Sequence, residues 1–354
     1  MTTLANIRPL SAMWWAAIPN RVWEAAAGTA LSSSFFIVGF GDWTMVAFVS
    51  GVVWTLAFVG RGSLPRWAVA SMGIIWGSTV AAVYFADLTV AAITMAMWVT
   101  LMAGVFLSKI TVRVLWWTLP AGAIQAVALW YDQITLAEPN RQLGLMSNSN
   151  PAAGLMVLMS VLLLTNKRTQ WLAVPFLATL PMTGSRAALL TIGAILCLLL
   201  INRVIHWRKW AAIILTTGLV TVPFWGTMEG GLRVGGPALV ESATNRTIGV
   251  VGSAAEPAIG MQRPGWLPNG PGADGDMQHN QALRIASEAG IVAGLAWCAL
   301  LMGALWKKRY GPAWYVLGAA ASLTVFDYYF WMPPGLAVLW WMLLNIQLQE
   351  KAGT

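Results

Sequence analysis

Apolar runs of bilayer length recur along the whole 354-residue chain, and charge is too scarce to interrupt them. The stretch ALLTIGAILCLLLI (188–201) is typical. A helix that crosses a bilayer needs about 20 mostly apolar residues. Twelve segments are candidate spans, several of them shorter than that and 170–184 most notably: 23–40, 43–60, 66–86, 88–107, 113–131, 151–166, 170–184, 187–203, 209–227, 288–306, 312–330 and 333–349. Charged residues make up 10% of the chain, against about 25% in soluble domains. The sequence therefore predicts an all-α polytopic membrane protein of about 12 transmembrane helices. Segment 170–184 contains Pro175 and Pro181, so a kinked or partly buried helix is expected there. The 22 tryptophans suit the two interfacial belts of such a protein. Cys197 and Cys298 each lie inside an apolar run, which suggests small packed thiols rather than a disulfide or a metal site. Arg21 and Glu24 interrupt the N-terminal region, and no signal-peptide pattern is evident.

The net charge of +8 comes from cations that alternate between loops. Arg8, Arg21, Arg61, Arg66, Lys109, Arg113, Lys167, Arg168, Arg203, Arg208, Lys209, Lys307, Lys308, Arg309 and Lys351 fall on one side of the predicted topology, 15 of 21 cations. An excess of Lys and Arg marks the cytoplasmic side, so both termini are expected there. The basic balance thus reflects topology and points to no nucleic acid. The other six cations are Arg141, Arg186, Arg233, Arg246, Arg263 and Arg284, and none is lysine. The planar guanidinium fork matches phosphate and carboxylate bidentately. The outer face therefore has the character of an anion-binding surface.

Two outer loops are long. One covers about 132–150. The other, about 228–287, is rich in Gly and Pro (GGLRVGGP, QRPGWLPNGPG) and should be largely irregular with short helices. The expected organisation is one membrane-embedded domain: spans 1–9 over 1–227, a periplasmic loop over 228–287, and spans 10–12 over 288–354.

The polar stretch DGDMQHNQALRIASEAG (274–290) closes that loop. Asp276 reads as an N-cap, His279 as a residue of the first helical turn, and Gly290 as a stop or joint. The positive end of a helix disfavours imidazolium, and a neutral imidazole is what a general base requires. A surface histidine in a loop is the competing reading. Asp274, Asp276 and His279 also offer metal donors, but their spacing matches no strong metal motif. Arg186 in TGSRAALL (183–190) stands at the outer mouth of a span, where it either snorkels to the interface or holds a lipid-linked phosphate. Arg246 lies in ESATNRTIGVVGSAAEPAIG (241–260), and GLMSNSNPAAG (144–154) opens a span with an Asn-rich turn. Asp327, in LTVFDYYFW, is either a buried carboxylate or part of the site.

Taken together, these segments resemble the O-antigen ligase and O-antigen polymerase (Wzy-type) superfamily. The pieces stand in that family's order: SNSNP opening a span, a Ser-Arg at the head of a span, an Arg some ten residues before Pro-x-x-Gly, then His-Asn followed by Glu-x-Gly and a span. The likeness covers about 140–310, and the first five spans match by topology only. It implies transfer of a glycan from undecaprenyl diphosphate to an acceptor hydroxyl, outside the cytoplasmic membrane of a bacterium. By the same resemblance His279 is the catalytic histidine and Arg186 and Arg246 are the essential arginines, with no metal and no cofactor. Arg141, Asn150, Arg263, Asn280 and Arg284 are the further substrate-binding candidates on this face. The insert WLPNGPGADGD departs from the family pattern and bears on the acceptor.

The chemistry of the residues agrees with that implication. Two guanidinium groups can bind a lipid diphosphate and stabilise charge on its leaving oxygen without a metal. A neutral His279 can take the proton of an attacking sugar hydroxyl. Direct displacement inverts the anomeric carbon, and no carboxylate pair of the glycosidase kind is evident. The acceptor is another glycan for a polymerase, or lipid A-core or a protein for a ligase. A membrane transporter or lipid-linked oligosaccharide flippase is the main alternative. Ionisable groups at the midplane would favour it, but Glu24, Glu288 and Asp327 all lie near span ends.

Overall fold

The computed structural model describes residues 20–36, 49, 52, 63–85, 90–135, 142–146, 148–224, 280–307, 311–326, 330–331 and 336–349. Among these, every regular element is helical. The first half holds α1 (Asn20–Ser32), α2 (Arg66–Phe85), α3 (Val90–Leu107), α4 (Val112–Trp116) and α5 (Leu119–Thr135). Next come α6 (Ser149–Leu164), α7 (Val174–Thr179), α8 (Arg186–Ile201) and α9 (Trp207–Thr221). The last third holds α10 (Gln281–Ala289), α11 (Ile291–Trp306), α12 (Pro312–Phe326) and α13 (Ala337–Leu348). Among the described residues, three helical stretches are long and apolar enough to cross a membrane: Arg66–Tyr84, Val90–Leu107 and Val112–Thr135. Residues 225–279, most of the long loop expected over 228–287, lie outside the described residues.

Local chemistry explains where two expected spans are broken and where a third carries a turn. Segment 170–184 is a six-residue helix, α7, between 3-10 turns at Gln170–Ala173 and Pro181–Thr183. Pro175 opens α7 and Pro181 opens the turn after it, since neither can donate a helical hydrogen bond. The span expected over 113–131 keeps its length within the helical stretch Val112–Thr135 but carries a turn at Trp117 and Thr118, between α4 and α5, just before Pro120. The span expected over 288–306 is interrupted at Gly290, whose φ of 91° and ψ of 154° are open to glycine alone.

Burial sorts the helices into a centre and a rim. Fourteen of the sixteen residues of α6 are buried, and eleven of the twelve of α13. A helix that is apolar all round belongs inside. Helix α12 packs on both α6 and α13 and so joins the two halves of the core. Helices α2, α3, α9 and α11 instead turn large apolar side chains outward, such as Met97, Leu215, Leu295 and Trp306. A soluble protein would bury such a surface, whereas hydrocarbon is its natural neighbour in a bilayer. Trp76 Nε1 donates to Thr100 Oγ1 at 3.0 Å, tying α2 to α3. Such interhelical bonds stabilise membrane helix pairs by about 1 kcal/mol.

Polar contacts gather at one end of the bundle in a connected series. Glu24 accepts from Thr111 Oγ1 at 2.9 Å and lies 3.8 Å from Arg113. Gln349 Nε2 donates to the Ile110 carbonyl at 2.7 Å, and Lys307 Nζ to the Leu348 carbonyl at 2.7 Å. Asn345 Nδ2 serves the carbonyls of Phe106 and Ser108. Trp314 Nε1 reaches the Leu305 carbonyl at 3.2 Å, and Asn202 Nδ2 the Tyr315 hydroxyl at 3.1 Å. Buried Gln170 links the carbonyls of Leu164 and Val204 at 3.0 and 3.3 Å. Lys109, Arg113, Lys167, Arg203, Lys209 and Lys307 stand beside these contacts, all of them cations that the alternation pattern groups on one side.

Candidate functional site

Arg186 is the first residue of α8 and is half-buried. The turn before it is fixed by Gly184, in the left-handed region at φ 62°, and by Ser185, whose side chain caps the Ala188 amide at 3.5 Å. Helix N-termini carry unpaired amides and a partial positive charge, and so favour anions. An arginine there adds a full charge to that end.

The Asn-rich segment docks against this turn. Gln142 N donates to the Met182 carbonyl at 3.0 Å. Two residues of α5 hold the loop that leads on to α6. Gln125 Nε2 donates to the Leu143 carbonyl at 2.8 Å, and its Oε1 accepts from Leu145 N at 2.9 Å. Asp132 Oδ2 accepts from Gly144 N at 2.8 Å. Asn148 then caps α6, accepting from Asn150 N at 2.8 Å, and places half-buried Asn150 in the first turn. Gln125 and Asp132 do not figure among the sequence candidates. The available signal is a lone polar residue inside an apolar run, AGAIQAVALW.

The segment after His279 docks on the far end of α12. Asn280 Nδ2 donates to the Val325 carbonyl at 3.5 Å. Gln281 is fully buried, and its Oε1 accepts from Phe330 N at 3.1 Å. Glu288 is buried, accepting from Arg284 Nε at 2.8 Å and from Trp331 Nε1 at 2.9 Å. Much of the polarity of HNQALRIASEAG is thus consumed within the fold. Arg284, expected among the substrate-binding arginines, is engaged by Glu288, so its charge is offset locally.

One expectation needs correction. The helix cap is Asn280, whose side chain accepts from Leu283 N at 3.2 Å, four residues later than Asp276. The helix starts at Gln281, so the first-turn dipole argument for a neutral His279 falls away. His279, Arg246, Arg263, Arg141, Asp274, Asp276 and Asp327 lie outside the described residues.

Helices α8 and α12 bring the two docked pairs to one level. Thr191 Oγ1 and Ser322 Oγ are 3.0 Å apart, Ile195 packs over Gly318, and Asn202 meets Tyr315. These are the contacts of an antiparallel pair. Carried toward the start of α8, the register sets Ala188 level with Val325, the residue that receives Asn280. Arg186, the Asn148–Asn150 turn and the cap of α10 therefore share one end of the bundle, opposite the cation-rich end. Compared with family models, with curated proteins and with solved structures, the chain matches none.

Proposed function

We propose that the chain is an inverting, metal-independent glycosyltransferase of the O-antigen polymerase or ligase type. It acts at the periplasmic face of a bacterial inner membrane on an undecaprenyl-diphosphate-linked glycan. The observation that carries this reading is the shared bundle end at which Arg186 opens α8 and Asn280, next in sequence to His279, caps α10. The order of the four sequence segments supports it independently.

In this reading Arg186 and the α8 N-terminus hold the donor diphosphate, with Arg246 as the second guanidinium. The acceptor oxygen attacks the anomeric carbon from the face opposite the diphosphate, and His279 takes its proton. The anomeric C–O bond breaks, the electron pair stays on the diphosphate oxygen, and the arginines stabilise that charge. The new glycosidic bond has inverted configuration.

The direct test is a reconstituted assay with purified chain and lipid-linked glycan. His279→Ala and Arg186→Ala variants should insert and purify normally and lose about 10²-fold or more of the transfer rate. Full activity in His279→Ala would sink the general-base role. Deletion of the gene then separates the two acceptor classes on a glycan gel: a single repeat on core marks a polymerase, and loss of all O-antigen marks a ligase. The breaks at 170–183 and Gly290 favour a second reading, a transporter or flippase, because discontinuous helices are common there. That reading requires movement of the lipid-linked glycan with no new glycosidic bond in the same assay.

A further inference from the structure

A cleft of about 570 Å³ opens at the cation-rich end, lined by Lys167, Gln170, Arg203, His206, Trp207 and Lys209 among others. Its size falls in the range of small-molecule sites, about 300–1,000 Å³. No Asp or Glu is among its described lining residues. Buried Gln170 fixes the floor, with its amide nitrogen bonded to two carbonyls from different segments. Lys209 Nζ reaches across to the Lys167 carbonyl at 3.0 Å, and an ammonium has three donors, so this bond does not exhaust it.

One feature of this cleft is costly unless the side chain serves a purpose. Arg203 sits at φ 55°, the only non-glycine in the left-handed region among the described residues. It follows the end of α8 in a Schellman turn, where Arg203 N bonds Leu200 O at 3.0 Å and Val204 N bonds Leu199 O at 2.9 Å. Glycine is the usual residue at that point, so the backbone alone gives no reason for arginine. Beside it Trp207 is 60% exposed, with the Arg208 guanidinium 5.4 Å from its ring centre.

The face of α9 below Trp207 places the cleft beside an apolar surface. Leu215, Leu219 and Val222 follow Trp207 down one side of the helix and its 3-10 extension, each more than 60% exposed. The stripe continues the bilayer-facing surface of α2, α3 and α11, so a lipid lying along α9 brings its headgroup to the mouth of the cleft. We propose that this cleft binds the phosphate headgroup of an anionic phospholipid, with its acyl chains lying along the α9 stripe. The site is at the opposite end of α8 from Arg186 and does not depend on the glycosyltransferase reading. Basic pockets between membrane helices are suited to such headgroups, and the indole seats at headgroup level.

The test is native mass spectrometry of the full chain from micelles doped with phosphatidylglycerol or phosphatidylcholine. The wild-type chain should retain phosphatidylglycerol preferentially. Lys167→Gln and Arg203→Gly should each reduce that retention about fivefold, the effect of one surface cation on an anionic lipid. Arg203→Gly relieves the backbone strain and should melt no lower than wild type, so its loss of lipid cannot be ascribed to unfolding. Equal retention of the two lipids by the wild-type chain overturns the proposal, as does undiminished phosphatidylglycerol retention in both variants. Release of the lipid by millimolar inorganic phosphate also overturns it, in favour of a soluble phosphate compound.

Discussion

At the scale of single residues, Arg203 and Glu288 depart most clearly from what sequence chemistry alone would favour. Arg203 occupies a left-handed conformation that costs an L-residue about 1–2 kcal/mol. Arg203→Gly should therefore raise stability by up to about 1 kcal/mol, partly offset by the greater freedom of glycine in the unfolded chain. Thermal unfolding in detergent at matched lipid content measures this, and a lower melting temperature would contradict it. Glu288 accepts two hydrogen bonds, one of them from a guanidinium, while 2% exposed. Removing it leaves Arg284 and the Trp331 indole without that acceptor, so Glu288→Ala should cost about 2–3 kcal/mol. Urea or thermal unfolding checks the magnitude. Arg284 reads in the sequence as one outer arginine among six, and only its partner four residues on in the folded helix shows that it also serves the fold. The pairing was available from the i,i+4 spacing.

At the scale of elements, α10 and α11 form a short helical hairpin about Gly290. Its packing rests on Gly294, where a Cβ would stand 2.9 Å from Ala286 Cβ and 3.2 Å from the Ala282 carbonyl. No flexible side-chain tip can yield there, because α10 presents its backbone and a methyl group. Gly294→Leu should push α10 away from α11 and weaken the Glu288–Trp331 bond. Spin-label distances between α10 and α11 should lengthen, and transfer activity should fall under the proposed function, because α10 carries the segment that follows His279. Unchanged distances would show that the hairpin tolerates the side chain. This hairpin was only partly legible beforehand. Gly290 marked a joint in the sequence, but the step from amphipathic 281–289 to wholly apolar 291–306 does not announce that the chain folds back. Asn280 displaced Asp276 as the cap because its position matches the start of the helix, and the sequence offers both residue types within five positions.

At the scale of the molecule, Lys109, Arg113, Lys167, Arg203, Lys209 and Lys307 stand at one end of the bundle and Arg186 at the other. Lys167 stands near one end of α6 and Asn150 near the other, about 25 Å apart along a helix rising 1.5 Å per residue. Single cysteines at these positions, with Cys197 and Cys298 replaced, should label oppositely in spheroplasts exposed to an impermeant thiol reagent. Asn150→Cys should react and Lys167→Cys should not, and equal labelling would overturn the orientation. The sequence by itself determined that the chain is helical and built for a bilayer. Twenty-residue apolar runs have few other ways to satisfy their backbone polar groups, and the Lys and Arg asymmetry is local to each loop. It also marked Arg186, because an arginine after a Gly-Ser turn at the head of an apolar run is a local pattern. What only the tertiary structure decided is which segments meet. The register of α8 on α12, the grip of Gln125 on the 142–145 loop and the closure of Gln170 between Leu164 and Val204 join residues distant in sequence. Such contacts depend on which helix faces which, and that choice is made by packing between helices, about which a single apolar run carries no information.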